Sequence, residues 1–282
     1  MEKPSYINAL KWAFLILKKH QQDQDIARYL LLERTGWNLT QLTLHQTEII
    51  STSLWQQFQQ DIALAIQGYP PQYILGYAWF YGRKFYVNRA TLIPRQDSET
   101  MIAQILQDVP AAKRVLELGT GSGALIISLG KEGHYQQLTA TDISESALQV
   151  AQKNSTKQQV PLELLHGDLF EPVRGRQFDL IVFNPPYIAN SELKLMDQSV
   201  IEFEPHQALF AAQSGLEFYQ RIFAQISAFL APHGKIYLEF GFQQQAKISK
   251  MFQEQLPHWQ IEFFRDLANH PRFLRLQRKE VK

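Results

Sequence analysis

The sequence predicts an α/β fold with a mainly parallel sheet, preceded by a small all-α domain. Three observations predict it. Residues 1–75 repeat apolar positions at spacings of three and four, the period of a helix. Residues 77–93 shorten that period around Gly82-Arg83. From Arg114 onward, apolar strand-like runs alternate with helical stretches, which is how a parallel sheet with helical crossovers is written.

Composition sets the outer bounds. A chain of 282 residues that is 45% hydrophobic can bury the core of one large domain or two modest ones. Lys and Arg number 28 against 27 Asp and Glu, a net charge of +1, which argues against a dedicated nucleic-acid binder. The stretch Arg265 to Lys282 is more basic and reads as a solvated tail. The absence of cysteine excludes disulfides, a thiol nucleophile and thiolate metal sites, and it fits the cytoplasm. The eight histidines show no metal-ligand spacing. The apolar run Trp12–Leu17 is too short to span a bilayer and is followed by no cleavage site, so it reads as a helix and no membrane association is expected. Oligomeric state is not legible; a monomer is the default.

The elements follow in order. Tyr6, Leu10, Phe14 and Leu17 mark a first helix, and Ile26, Leu30 and Arg34 a second, with Asp23 as its N-cap. Ile50, Leu54, Phe58 and Ile62 mark another, ending near Gly68 and Pro70. This helical domain, residues 1–75, balances its charges and suits protein docking better than phosphate binding. Ala78–Tyr81 and Lys84–Val87 flank Gly82-Arg83 as a hairpin, and residues 76–100 are taken as a connector. Residues 101–282 then supply strands at Arg114–Leu118, Leu138–Asp142, Leu162–His166, Asp179–Phe183, Lys235–Phe240, Gln260–Arg265 and Phe273–Gln277. Helices are expected between most of them, such as Ser144–Lys157 and Gly215–Leu230. The last two strands lie too close for a helical crossover, so the last is expected to run antiparallel. In such sheets the ligand sits beyond the carboxyl ends of the strands, near the switch in strand order.

The first strand of the sheet runs into Glu117-Leu118-Gly119-Thr120-Gly121-Ser122-Gly123. Alternate glycines let the backbone turn sharply and approach a ligand. Gly119, Gly121 and Ala124 also satisfy a dinucleotide fingerprint, and Asp142, ending the second strand, suits ribose hydroxyls in either case. Glu117 separates the two. Two residues before the first glycine, it would repel a pyrophosphate but attract the ammonium of S-adenosylmethionine. Asp168 and Leu169, after the third strand, suit the adenine amine and ring face.

The run Phe178 to Tyr187 carries the reaction site. A buried strand delivers Asn184 at its carboxyl end; Pro185 holds Asn184 extended, and Pro185 and Pro186 remove two N–H donors. The Asn184 side-chain oxygen and the Pro185 carbonyl make an acceptor-rich corner beside the Tyr187 ring. Such a corner suits a planar nitrogen with two hydrogens. Two acceptors would aim it at a methyl donor and bind more strongly as positive charge develops.

Asn184-Pro185-Pro186-Tyr187 after a fourth strand resembles the class I amino methyltransferases. Gln72-Tyr73-Ile74-Leu75-Gly76, Phe80-Tyr81-Gly82 with Phe85, Leu92-Ile93-Pro94-Arg95 with Asp97 and Glu99, Phe203-Glu204-Pro205, Gly215-Leu216 and Leu238-Glu239 resemble the release-factor glutamine methyltransferases in particular, the PrmC/HemK family. That resemblance implies a Rossmann-like, seven-stranded sheet with an antiparallel last strand, and S-adenosylmethionine as cofactor. It implies as substrate the glutamine of a Gly-Gly-Gln motif in peptide chain release factors, methylated at N5. It also implies that Glu117, Gly119, Thr120, Gly121, Ser122, Gly123, Asp142, Leu169 and Asn184 face the cofactor, and that Asn184, Pro185, Pro186 and Tyr187 hold the glutamine. Gln96 stands where the family usually has proline, Ser98 where it has threonine, Leu169 where an aromatic is frequent and Asn269 where glycine is frequent.

Rival readings remain open at this level. The same fold could methylate a ribosomal-protein glutamine, DNA adenine or rRNA guanine. A nicotinamide oxidoreductase would need a proton-relay pair near the strand ends, and no Tyr-Lys pair or partnered His stands there. A regulator that binds the cofactor without catalysis is countered by the intact Asn184 corner.

Overall fold

A computed structural model describes residues 3–279. The outermost parts of the two expected domains, and the end of the basic stretch, lie outside the described residues. Two compact units divide the chain: residues 1–77 with 197–203, and residues 78–196 with 204–282.

The first unit contains α1 (Tyr6–Lys19), α2 (Asp25–Thr35), α3 (Leu39–Leu44), α4 (Thr52–Ala65) and α5 (Pro71–Leu75). The apolar stripe of α1 is buried at Tyr6, Ala9, Leu10, Ala13 and Leu17, and it packs with Leu30, Leu31, Phe58 and Ile62. Asp23 is not the N-cap of α2. That position is Gln24, and Asp23 acts one residue earlier, accepting the Asp25 N–H on Oδ1 at 2.9 Å. The short α3 is absent from the periodicity reading because six residues give too little pattern; a reciprocal capping box between Asn38 and Gln41 defines its start. Inside this unit the Arg34 guanidinium forks onto the buried Asp61 carboxylate, both bonds at 2.8 Å.

The second unit begins at Ala78, within β1 (Tyr77–Phe80), and continues with β2 (Arg83–Tyr86). The hairpin turn falls on Tyr81-Gly82, one residue earlier than expected from Gly82-Arg83. Both turn residues have positive φ, 47° and 71°, as a type I′ hairpin turn demands, with Gly82 at its second position. Phe80 and Phe85 from this hairpin are buried in the core of the second unit.

There follow α6 (Asp97–Asp108), β3 (Ala111–Leu118), α7 (Ala124–Glu132), β4 (His134–Asp142), α8 (Glu145–Gln158), β5 (Glu163–His166) and β6 (Phe178–Phe183). Then come α9 (Gln198–Phe203), which belongs to the first unit, α10 (Ala212–Gly215), α11 (Glu217–Phe229), β7 (Leu230–Glu239), α12 (Gln245–Gln255), β8 (Trp259–Arg265) and β9 (Pro271–Arg278). Leu230, expected to end a helix, instead opens β7. The seven strands order as β5-β4-β3-β6-β7-β9-β8. The strands from β3 to β7 pair in parallel, and β9 runs antiparallel to both neighbours, inserted between β7 and β8.

The central strands are apolar on both faces because helices cover both. Leu116, Ile181, Phe183, Ile236 and Leu238 pack toward α11 and α12. Val115, Leu180, Val182 and Tyr237 pack with α6, α7 and the hairpin. The strand order reverses at β3 and β6, so the carboxyl ends of β3, β4, β6 and β7 converge on one edge. Among the described residues, no helix is long and apolar enough to cross a membrane.

Candidate active site

A cavity of about 800 Å³, counting its mouth, opens at that edge of the second unit. Its wall includes Glu117, Gly119, Thr120, Gly121, Ser122, Asp142, Asn184 and Pro186 from the expected set. Ala90, Thr91, Leu92, Pro94, Arg95, Ser98, Pro205, Gln207 and Ala208 complete much of the rest.

The glycine loop turns as the sequence requires. Gly119, Gly121 and Gly123 have φ of 58°, 55° and 78°. A Cβ on Gly121 would meet no protein atom within 4 Å, so that side of the loop is free for a ligand. Gly123 differs: its missing Cβ makes room for Ile127 and Ala151, and it starts α7 rather than lining the cavity. The Gly121 N–H donates to Asp142 Oδ2 at 2.8 Å, and the Ser144 N–H donates to Oδ1 at 2.9 Å. Ser144, not Asp142, caps α8. Burial raises the Asp142 carboxyl above its usual range, opposed by those backbone donors.

Glu117 is almost wholly buried, and burial pushes its carboxyl up to about 8. The Thr120 hydroxyl and a backbone donor at Ile126 pull it down, while nearby Asp142 pushes it further up. Among the described residues, no Lys or Arg pairs with it. A buried carboxylate with only neutral donors gains most from a cation. The wall thus fits a ligand that brings an ammonium or sulfonium and disfavours one that brings phosphates.

Asn184 leaves β6 half-buried, with Nδ2 3.5 Å from Ser98 Oγ in the first turn of α6. The Ser98 hydroxyl donates to Glu239 Oε2 at the end of β7, and the Tyr187 hydroxyl donates to Glu239 Oε1 at 3.4 Å. Burial pushes the Glu239 carboxyl up to about 7 and raises the Tyr187 phenol well above its ordinary value. Gln244 donates to the Tyr187 carbonyl at 2.8 Å, which fixes the backbone after the two prolines. Buried Glu204, next to the lining residue Pro205, accepts the Ile93 N–H at 3.0 Å and Arg95 at 2.6 Å.

Pro185 and Tyr187, on either side of the lining residue Pro186, do not themselves line the cavity. Asp168 and Leu169 are not brought to the cavity. The Asp168 carboxylate is taken by Arg221, and Leu169 is buried in the core with its carbonyl accepting from Thr141 at 3.0 Å. Ser98 and Glu239 were legible only as family positions, though one signal marks Glu239. Like Glu117, it is a single acid near the carboxyl end of an apolar strand.

Comparison with known proteins adds independent findings. Residues 8–76 match the family model for the PrmC N-terminal domain, and residues 96–203 match that for the methyltransferase small domain. A release factor glutamine methyltransferase of Enterococcus faecalis is 38% identical over 95% of this chain and 97% of its own length. One from Bacillus subtilis is 32% identical over 94% of each chain. A solved methyltransferase structure from Pyrococcus furiosus shares the fold, with a TM-score of 0.54 at 16% identity, covering 82% of this chain and all of the other.

Proposed function

The chain belongs to the release factor glutamine methyltransferase family, and from that premise we propose that it methylates N5 of the glutamine in a release factor's Gly-Gly-Gln motif. The carrying observation is that Asn184 and the cation-seeking Glu117 line one cavity. One wall suits a cationic methyl donor and the other suits a nitrogen with two hydrogens.

S-adenosylmethionine, when bound, supplies an electrophilic methyl group. Glu117 attracts its ammonium, the Gly119 to Ser122 loop gives it close backbone approach, and Asp142 accepts from its ribose. Asn184 Oδ1 accepts one hydrogen of the substrate amide. The Pro185 carbonyl, on the backbone between two cavity residues, accepts the other. An amide nitrogen is a weak nucleophile because its lone pair is delocalised. Acceptors on both hydrogens orient it and bind better as it becomes cationic, which lowers the barrier without a strong base. The methyl's bond to sulfur would break as its bond to nitrogen forms, the electron pair staying with a neutral thioether, and the extra proton, acidic once the methyl is attached, would leave to solvent. The near-neutral charge of the helical unit fits a protein partner better than a nucleic acid, and the reaction belongs in the cytoplasm, where release factors work.

The test is mass spectrometry of a release factor incubated with the protein and S-adenosylmethionine. One added methyl on the Gly-Gly-Gln glutamine is expected. Methylation confined to a ribosomal protein or to nucleic acid would overturn the substrate assignment.

A further inference from the structure

We infer that Ser98 and Glu239 set the direction in which the Asn184 amide points, and so act as positioning residues for the methyl-accepting nitrogen. The inference rests on the reading of Asn184 as an acceptor for the substrate amide. A carboxamide has two ends of nearly equal size, one accepting and one donating. Shape discriminates poorly between them, so hydrogen-bond polarity must do it.

A two-step relay supplies that polarity. The Ser98 hydroxyl donates to Glu239 Oε2. Serine has one hydroxyl proton, so its oxygen is left to accept, and Asn184 Nδ2 lies 3.5 Å from it. With the amino end turned to Ser98, the oxygen is the end left for a ligand. Glu239 dictates the whole chain, because an ionised carboxylate can only accept. Its other oxygen takes the Tyr187 hydroxyl, so the same carboxylate braces both ends of the Asn184–Tyr187 turn.

The relay reverses on protonation. A neutral Glu239 can donate to Ser98, which frees the serine proton to point at Asn184 and favours the opposite amide direction. Glu239 is buried, and its carboxyl sits at about 7. The groups facing it are Ser98 and Asp97 of α6, Tyr187 after β6 and Arg272 of β9. Tyr219 of α11 donates to its backbone carbonyl at 2.8 Å, and Arg95 acts on the adjoining Tyr187. Asp97 pushes its carboxyl up, while Arg272, Ser98 and Tyr187 pull it down.

The test uses the full-length protein and three variants: Ser98→Ala, Ser98→Thr and Glu239→Gln. Two readouts are taken: single-turnover methylation of a release factor, and the Asn184 side-chain NH₂ resonance, assigned by its loss in Asn184→Ala. Cofactor affinity and melting temperature serve as folding controls. Ser98→Thr, which keeps the hydroxyl, is expected to stay near wild type. Ser98→Ala and Glu239→Gln are expected to lose about tenfold or more in rate, as misorientation of a reacting group does, with cofactor affinity little changed. With S-adenosylmethionine saturating at every pH, so that the pH dependence of its binding through Glu117 does not enter, the wild-type NH₂ resonance shifts and the rate falls as pH drops through about 7, and both responses vanish in Glu239→Gln. An NH₂ resonance in Ser98→Ala with wild-type position and pH response overturns the proposal, whether or not a release factor is methylated. A resonance that responds in a protein that leaves release factors unmethylated supports the relay and sinks the substrate reading instead.

Discussion

The Gly121 N–H donates to the Asp142 carboxylate at 2.8 Å, which joins the glycine loop after β3 to the end of β4 in a single wall. The next glycine of the motif serves packing instead, where a Cβ would lie 2.8 Å from the Ile127 side chain.

That difference separates two alanine variants. Both positions are left-handed, so each substitution costs roughly 1–2 kcal/mol of backbone strain. Gly123→Ala adds the collision with Ile127 and Ala151, and is expected to show mainly a lower midpoint in denaturant unfolding. Gly121→Ala meets no protein atom, so its further loss should fall on S-adenosylmethionine affinity measured by calorimetry. Equal effects of the two on binding and stability would contradict the assignment.

Glu117 predicts opposite pH trends for binding and stability. Its carboxyl lies at about 8 in the folded chain against an ordinary 4.5. Between those values the folded state holds the extra proton, so the group's contribution to stability is complete below about 4.5 and is lost as pH rises toward about 8. Glu117→Gln removes that loss, so its ligand-free form should melt higher than wild type near pH 8. A cationic ligand prefers the ionised form. Wild-type affinity for S-adenosylmethionine should therefore weaken as pH falls below about 8, and Glu117→Gln should bind weakly at every pH. Thermal unfolding and calorimetry at two pH values check both arms.

Asn184→Ala should leave the fold intact and lower single-turnover methyl transfer about a hundredfold or more, the usual loss of one positioned hydrogen-bonding group. Asn184→Asp keeps an acceptor but adds a charge that burial resists, so its loss should vary strongly with pH while that of alanine does not. Cofactor affinity should fall much less than the rate in both. Near wild-type turnover in Asn184→Ala would place the substrate nitrogen elsewhere.

Glu204→Ala strips the Ile93 N–H and the Arg95 guanidinium of their shared acceptor. An unsatisfied buried N–H costs about 1–3 kcal/mol, and chemical denaturation should show a loss of that order. Because Pro94, Arg95 and Pro205 all line the cavity, cofactor affinity should fall as well. A destabilised variant with unchanged affinity would confine Glu204 to a structural role.

Much of the second unit was legible because its chemistry is local. Glycines at positive φ, acids near the carboxyl ends of apolar strands and a proline pair after Asn184 each state their backbone geometry within a few residues. Asn269 shows the same logic: at φ 65° it takes a left-handed position where glycine is frequent and asparagine is tolerated. The antiparallel last strand followed from a short connection. Other features depend on contacts that no local pattern encodes. Ser98 meets Glu239 across 141 residues, and Glu204 meets Ile93 across 111, so nothing in either segment names its partner. The contact of Asp168 with Arg221 spans 53 residues and is equally invisible in either segment. The insertion of β9 between β7 and β8 was equally hidden, because pairing order depends on which strand edges remain open after the sheet assembles. Residue type and spacing specify which residues can bend, bind or accept; folding selects which of them share a cavity, because burial and hydrogen-bond partners come from segments distant along the chain.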